Sequence, residues 1–148
     1  MFTEAVENLC AAGLEIIVHV ILGLPGETPE QMYETVSFLN TLPVFGVKLQ
    51  LLHVLAGTDL GALYEASREA VPILSMEEYL RILIHCLELL SPQIVIHRVT
   101  GDGPRNLTLA PKWSLNKRMV LNTLLKTMRE QNTYQGRLYH DTGPSHSL

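Results

Sequence analysis

The sequence predicts an α/β protein with parallel strands, and three observations support this fold class. The 148 residues are 47% apolar and 18% charged, which is enough apolar material for a sizeable core. Two capping boxes, at Thr28 and Ser75, mark helix starts. Three β-branched apolar runs lie between the helical segments, so the element order is α-β-α-β-α-β-α. This alternation is typical of βαβ units and a parallel sheet.

The first helix and strand occupy residues 3–22. Thr3 is the predicted N-cap of a helix that ends at Ala12, and Gly13 supplies the left-handed position that follows a helix. Residues 15–22 are almost continuously apolar and β-branched. Such a run favours a strand that is buried on both faces of a parallel sheet.

A second helix and strand follow the sequence GLPGET at residues 23–28. Thr28 is the predicted N-cap of the helix, which ends near Pro43, and residues 47–55 form the second strand. Helical spacing places three apolar residues on the inward face of this helix: Met32, Val36 and Leu39.

The remaining elements are a third helix from Ser75 to about Leu90, a strand at residues 94–97 and a last helix at residues 114–130. The predicted inward residues are Tyr79, Leu80, Leu83, Leu87 and Leu90 in the third helix, and Val120, Leu121, Leu124 and Met128 in the last. The polar end of the chain, residues 132–148, is expected to be a disordered tail.

Composition narrows the function classes. The two cysteines, Cys10 and Cys86, are expected to be reduced and buried in a cytoplasmic protein. They are too few for a four-cysteine zinc site or a cluster held by this chain alone, and no histidine pair has zinc spacing, so no metal site is predicted. The longest apolar run is about half a membrane span, and we expect neither a signal peptide nor a membrane segment.

The charge distribution is asymmetric. Residues 1–111 carry 5 basic and 13 acidic residues, a net charge of −8, whereas residues 112–148 carry 6 basic and 2 acidic ones, a net charge of +4. The basic end fits contact with nucleic acid, or contact with the acidic body of the same protein.

The segments that follow the three strands hold the candidate site, because ligands of parallel α/β folds gather at the carboxyl ends of strands. His53, Arg98 and Asp102 are the candidate catalytic residues, since together they offer anion binding and proton transfer. His97 and Arg98 point to opposite sides of a strand. Two of the candidates also have a structural interpretation, His53 as a satisfied core histidine and Asp102 as a turn former.

Several segments resemble those of radical S-adenosylmethionine (SAM) enzymes. IVHVILGLPGET at residues 17–28 looks like the fifth-strand segment of the coproporphyrinogen-dehydrogenase and tRNA methylthiotransferase branches. GVKLQLLHVLAGT at residues 46–58, EEY at 77–79, IHRVTGDGP at 96–104 and APKWS at 110–114 resemble one bacterial radical SAM family. The likeness covers residues 3 to 136.

The resemblance implies a fold and a cofactor. It implies that residues 1–74 form the C-terminal half of a partial (β/α)6 radical SAM barrel, with the fifth and sixth strands. Residues 75–131 are then an α/β extension packed on this barrel half. In such barrels the fifth-strand motif contacts the adenine of SAM, which maps onto Ile21, Gly23 and Leu24. The segment after the sixth strand adds apolar contact, which maps onto Val54 and Leu55.

The same resemblance implies an intact enzyme that holds a [4Fe-4S] cluster on C-x3-C-x2-C and cleaves SAM to an adenosyl radical acting on an unknown substrate. This motif is not in the chain, so the chain alone is expected to be an inactive fragment whose partner is the N-terminal barrel half or a second copy. The alternative is a non-catalytic barrel remnant that binds a protein partner or RNA. The apolar first strand favours the fragment and predicts self-association.

Overall fold

This computed structural model describes residues 1–101 and 103–141, which form five strands and five α-helices. The strands are β1 (Ile17–Leu22), β2 (Gly46–Leu51), β3 (Val54–Leu55), β4 (Val95–Arg98) and β5 (Thr108–Ala110). The α-helices are α1 (Phe2–Ala11), α2 (Pro29–Leu39), α3 (Asp59–Ala66), α4 (Met76–Leu89) and α5 (Lys117–Glu130). Two 3-10 helices are Arg68–Ala70 and Lys112–Leu115.

The central feature is a three-stranded parallel sheet in the order β1-β2-β4. The whole of β1 pairs with β2, from Ile17 opposite Gly46 to Leu22 opposite Leu51. The pairing of β2 with β4 shifts register between Val47 and Lys48. The predicted α/β class with parallel strands is therefore confirmed.

Helices α2 and α4 cover one face of this sheet. Both capping boxes form: the side chains of Thr28 and Ser75 accept hydrogen bonds from the backbone N–H groups of Gln31 and Glu78. These caps satisfy orphan donors at the helix starts. All of the inward residues predicted for α2 and for the third helix are buried: Met32, Val36, Leu39, Tyr79, Leu80, Leu83, Leu87 and Leu90.

The other face of the sheet is uncovered. Along β1 the side chains alternate between exposed and buried, and Ile17 and Ile21 are 38% and 46% exposed. The prediction that both faces of this strand are buried is therefore wrong for the described chain, because no helix or strand of it packs against the second face. A half-covered parallel sheet is unusual, since such sheets are ordinarily covered on both sides.

A small second layer lies beyond the end of β2. The second strand stops at Leu51 and not at Leu55, and the chain then forms β3, which pairs antiparallel with β5. Residues Val54, Val71 and Ala110 are the buried centre of this layer. The sequence did not predict this pairing or helix α3, because both lie in a stretch without clear periodicity.

Two helix starts differ from the prediction. Met1 and not Thr3 is the N-cap of α1, and it provides no side-chain hydrogen bond; Gly13 does take the left-handed conformation, with φ of 80°. Helix α5 begins at Lys117, since Asn116 accepts a hydrogen bond from the Met119 N–H. Val120 and Leu124 are buried as predicted and Met128 is partly buried, whereas Leu121 is exposed.

The segment after α5 is held against the end of α4. The buried Glu88 carboxylate accepts hydrogen bonds from Arg137 at 2.8 and 3.0 Å and also from Thr133 and His85. Gln135 donates to the carbonyl groups of Ser91 and Ile94. These contacts order residues 133–138, where the sequence suggested a disordered tail; residues 142–148 lie outside the described part. The predicted division near residue 74 stays a prediction.

His53 joins the end of β2 to two later segments. Its Nδ1 lies 3.0 Å from the Leu51 carbonyl oxygen and its Nε2 lies 2.8 Å from Ser114 Oγ. Gly101 packs directly on the ring, because a Cβ added there would lie 1.9 Å from His53 Cε1. Burial lowers the pKa of His53, while the Leu51 carbonyl opposes this effect.

We predict that the Glu88 contacts make stability depend on pH. Burial raises the pKa of Glu88, but the hydrogen bonds from Thr133, Arg137 and His85 bring it below its ordinary value of 4.5. Because the folded pKa is depressed, this stabilisation is complete above pH 4.5 and is lost as the pH falls through the folded value. Arg137→Ala should lower the free energy of unfolding at pH 7 by about 1–3 kcal/mol, and this cost should shrink in acid.

Urea unfolding of both proteins between neutral and acid pH measures this difference. Lys126→Ala is the control, because its ion pair with Glu130 is exposed, and its cost should stay below about 0.5 kcal/mol. A pH-independent cost of Arg137→Ala would contradict the assigned role of Glu88.

We predict that Gly101 is required by the His53 ring. Gly101→Ala should lower the free energy of unfolding by about 1–3 kcal/mol, because the added methyl group overlaps the ring. In a His53→Ala background, Gly101→Ala should cost at least about 1 kcal/mol less than it does when the His53 ring is present. The measurement is a double-mutant cycle by urea unfolding, and strictly additive costs would show that the ring and Gly101 do not share this space.

Candidate functional site

The carboxyl ends of β1, β2 and β4 meet at one edge of the sheet, because the three strands are parallel. The end of β1 is tied to the segment after β2 by a 3.0 Å hydrogen bond from the Leu52 N–H to the Leu22 carbonyl oxygen. Three connecting segments, after Leu22, Leu51 and Arg98, therefore border this edge. This is the edge at which ligands bind in parallel α/β folds.

The turn after β1 is rigid and presents backbone. Gly23 and Gly26 have φ of 83° and 79°, a conformation that favours glycine. Glu27 Oε2 accepts a hydrogen bond from the Leu24 N–H at 3.2 Å, so this carboxylate braces the turn. Helix α2 begins directly after the turn, and its capping box engages the N–H groups of Thr28 and Gln31.

Exposed apolar side chains flank the turn. Ile21, on the uncovered face of the sheet, and Leu24, in the turn, are 46% and 44% exposed. Together with the glycine backbone they place exposed apolar side chains at this edge of the sheet. Ile21, Gly23 and Leu24 are the residues to which the sequence assigned the adenine contact, and this assignment stays a prediction.

The other two predicted adenine contacts, Val54 and Leu55, form β3 directly after the end of β2, and their assignment also stays a prediction. The Val54 side chain is fully buried in the second layer, so it has no surface with which to contact a ligand. Leu55 is half-buried beside it in β3. Backbone groups of this segment remain available for a role at the site.

Two of the three candidate catalytic residues, His53 and Arg98, lie within the described residues, and they line different cavities. His53 borders a cavity of about 250 Å³ together with Gly101, Gly103, Arg105 and Lys117. Arg98, which pairs in register with Lys48, lines a different groove with Lys117 and Thr100. His97 also lines this groove, so the opposite orientation of His97 and Arg98 stays a prediction. Asp102 lies outside the described residues. His53 is an anchor between segments in this geometry, and its two ring nitrogens are both engaged.

The uncovered face of the sheet carries polar residues that the candidate list did not include. His19 in β1 stands opposite Lys48 in β2, and His19 Nδ1 lies 3.4 Å from Gln50 Nε2. His97 in β4 reaches across Gly46, where a Cβ would lie 2.5 Å from His97 Cδ2. The strand period of two, combined with the parallel register, could have identified this set.

A groove of about 750 Å³ lies between the outer strand β4 and helix α5. Its walls are mostly apolar, with Ile96 on the strand side and Leu121 and Leu125 on the helix side. Arg98, Lys117 and Arg118 also line it. Both walls come from the C-terminal part of the chain, away from the turn after β1.

The cysteines do not form a metal site. Cys10 is exposed, so the prediction that it is buried is wrong, since α1 buries only Val6. Cys86 is buried, and this burial raises the pKa of its thiol to about 12. Within residues 1–101 and 103–141, no group of three or more His, Cys, Asp or Glu residues is placed to hold a metal ion.

Among the helices of the described residues, none has the length and apolarity needed to cross a membrane.

Comparison with known proteins places this geometry in a family. The model of the radical SAM C-terminal domain matches residues 44–130, which is more than half of the chain. The uncharacterized protein YtqA of Bacillus subtilis is 36% identical over 138 residues, which cover 93% of this chain and 42% of that protein.

Two further relatives extend the comparison. The uncharacterized protein MJ0486 of Methanocaldococcus jannaschii is 31% identical over 134 residues, covering 90% of this chain and 41% of that protein. Protein YhcC of Escherichia coli is 30% identical over 105 residues, covering 71% and 33%. The chain therefore spans less than half the length of these relatives.

A solved structure shares the fold. Elp3 of the archaeon Methanocaldococcus infernus, with an N-terminal deletion, superposes with a TM-score of 0.73 over 90% of this chain and 31% of that chain, at 17% identity. The fold is the C-terminal portion of a partial radical SAM barrel with an α/β extension, as predicted from the sequence. On the match to residues 44–130, the chain belongs to the radical SAM C-terminal domain family.

Proposed function

We propose that the chain supplies one wall of the SAM site in a longer radical SAM enzyme. The observation that carries the proposal is the braced glycine turn after β1, which stands beside an uncovered, partly apolar sheet face. In the proposed role, Gly23 and the backbone around it contact the adenine edge, while Ile21 and Leu24 cover its face. Leu55 is the proposed contact from the segment after β2.

The iron–sulfur cluster does not fit this chain. The two cysteines stand on α1 and α4, one exposed and one buried, and neither has a second cysteine nearby in sequence. We therefore assign the [4Fe-4S] ligands to the rest of the longer protein. When bound there, the cluster supplies the electron that cleaves SAM and begins radical chemistry on a substrate.

The residues of this chain bind and shield in the proposed enzyme. The uncovered sheet face becomes the barrel interior, and Ile17 and Ile21 are buried when the remaining strands close over it. This closure excludes water from the reacting centre. The unpaired thiols favour a reducing compartment, and we propose the cytoplasm.

We predict that Ile21, and not Ile17, contributes to SAM affinity. Both residues lie on the uncovered face of β1, at its carboxyl and amino ends. In the full-length protein, Ile21→Asn should weaken SAM binding about tenfold, the factor that corresponds to a loss of 1.4 kcal/mol. Ile17→Asn is the matched control and should change the affinity less than about twofold, since it lies about 13 Å further from the turn.

Calorimetric titration of SAM into the two variants measures this difference. The isolated chain should bind SAM weakly or undetectably, because most of the site's contacts lie outside it. Tight binding by the isolated chain, or equal losses from both substitutions, would contradict the proposal.

A second candidate function is a non-catalytic module that binds a protein partner or RNA. The groove between β4 and α5 favours it, since apolar walls and three basic side chains occur together there. Retention of RNA at low salt, and its loss on Arg118→Ala with Lys126→Ala as the control, would support RNA binding. SAM binding by the full-length protein with no retention of RNA would favour the enzyme.

A further inference from the structure

The uncovered face of the sheet has a polar centre. His19 in β1 pairs in register with Lys48 in β2. His97 in β4 lies over Gly46, which is also in β2. Gln50 lies two residues after Lys48 in β2, and its Nε2 lies 3.4 Å from His19 Nδ1. We name His19, Lys48, Gln50 and His97 the donor row. Adjacent strands are about 4.8 Å apart, so one small group could contact several of these side chains.

Lys48 is unusual for this part of the chain. It is the single lysine or arginine among residues 1–67, which contain eight Asp and Glu residues. It nevertheless occupies the middle strand of the sheet, where it is partly buried. Within the described residues no carboxylate forms an ion pair with it. A partly buried cation without an acidic neighbour is a ready partner for an anion.

The neighbours of Lys48 reinforce this character. His19, His97 and Gln50 each offer an N–H donor, and the strand residues of β1, β2 and β4 place no carboxylate on this face. Gly46 leaves the space that the His97 ring occupies, since any larger residue would collide with it at 2.5 Å. The position of His97 over the sheet therefore depends on the glycine.

We propose that the donor row binds an oxyanion, a phosphate or carboxylate group, of the enzyme's substrate. This inference rests on the proposed function in one respect, in that it takes the uncovered face as the barrel interior. Ile21 and the turn after it lie at the carboxyl end of this face, and Lys48 lies closer to the middle of the sheet. The anionic group thus sits deeper in the barrel than the adenine contact, on the side away from the turn.

The test uses the 148-residue chain and simple oxyanions as probes. Imidazole proton resonances of His19 and His97, identified with the variants His19→Gln and His97→Gln, are followed by NMR during titration with sodium phosphate and separately with sodium acetate, at constant ionic strength. Saturable shifts of both resonances support the proposal. A response to phosphate alone identifies a phosphate-bearing substrate, and a response to both anions identifies a general oxyanion site.

Lys48→Met should weaken the binding about fivefold, the effect of removing one charged partner at a partly exposed site. Lys126→Met is the matched control, because this lysine lies on α5 and is mostly exposed. Unchanged core methyl resonances show that the variant is folded. If Lys48→Met does not fold, His19→Gln removes a different member of the donor row and serves as the test in its place. Absence of saturable shifts, or equal affinity in all variants, would overturn the proposal.

A last arm separates this inference from the proposed SAM site. In the cluster-free full-length protein, phosphate should shift the same resonances whether or not SAM is present. Loss of phosphate binding in the presence of SAM would assign the donor row to SAM itself and overturn the substrate assignment. Phosphate binding in a protein that fails to bind SAM would overturn the proposed function and leave the oxyanion site in place.

Discussion

The parallel pairing of β1 with β2 is the constraint on which the rest of the structure depends. It runs without interruption over six residue pairs, from Ile17 and Gly46 to Leu22 and Leu51. Because the strands are parallel, the connection between them must cross the sheet, and α2 makes that crossing on one face. The same pairing brings the turn after β1 and the segment after β2 to one edge, and it sets His19 beside Lys48.

The uncovered face of the sheet agrees with the length of the chain, which covers less than half of each of the relatives it matches. Parallel sheets are stable when both faces are covered, yet here Ile17, Ile21 and Val95 expose apolar surface on the second face. The chain spans 42% or less of the curated relatives it matches. In the proposed longer enzyme, the remainder of the protein covers this surface. The helices on the covered face pack a continuous core against the sheet, so this face needs no such partner.

Local signals in the sequence predicted much of this fold. The capping boxes at Thr28 and Ser75, and the helical spacing of apolar residues after them, depend only on neighbours in sequence, and both are confirmed. The pairing of β3 with β5 joins residues more than fifty positions apart, and strands of two and three residues carry almost no periodicity. The contacts of Glu88 with Arg137 are equally distant in sequence, so composition suggested disorder there.

The candidate site was predictable to a similar degree. The glycine turn and its place at a strand end could be read from residues 17–28, but the partners of His53 could not, since Ser114 and Gly101 reach it from other segments. The uncovered face was missed for a related reason. A run such as residues 15–22 has the same composition whether one or both faces are buried, and only the packing of the rest of the molecule decides between them.

The turn after β1 differs from the rest of the proposed SAM site because its geometry is set locally. The Glu27 carboxylate holds the Leu24 N–H, and Thr28 and Gln31 bond each other's backbone at the start of α2. None of these contacts requires another strand of a barrel. In the proposed SAM site this wall is therefore preorganised, and the proposal assigns it a contribution to affinity without an ordering cost of its own. The isolated chain provides only some of the proposed contacts to SAM, but its turn already has the conformation that the proposed site uses.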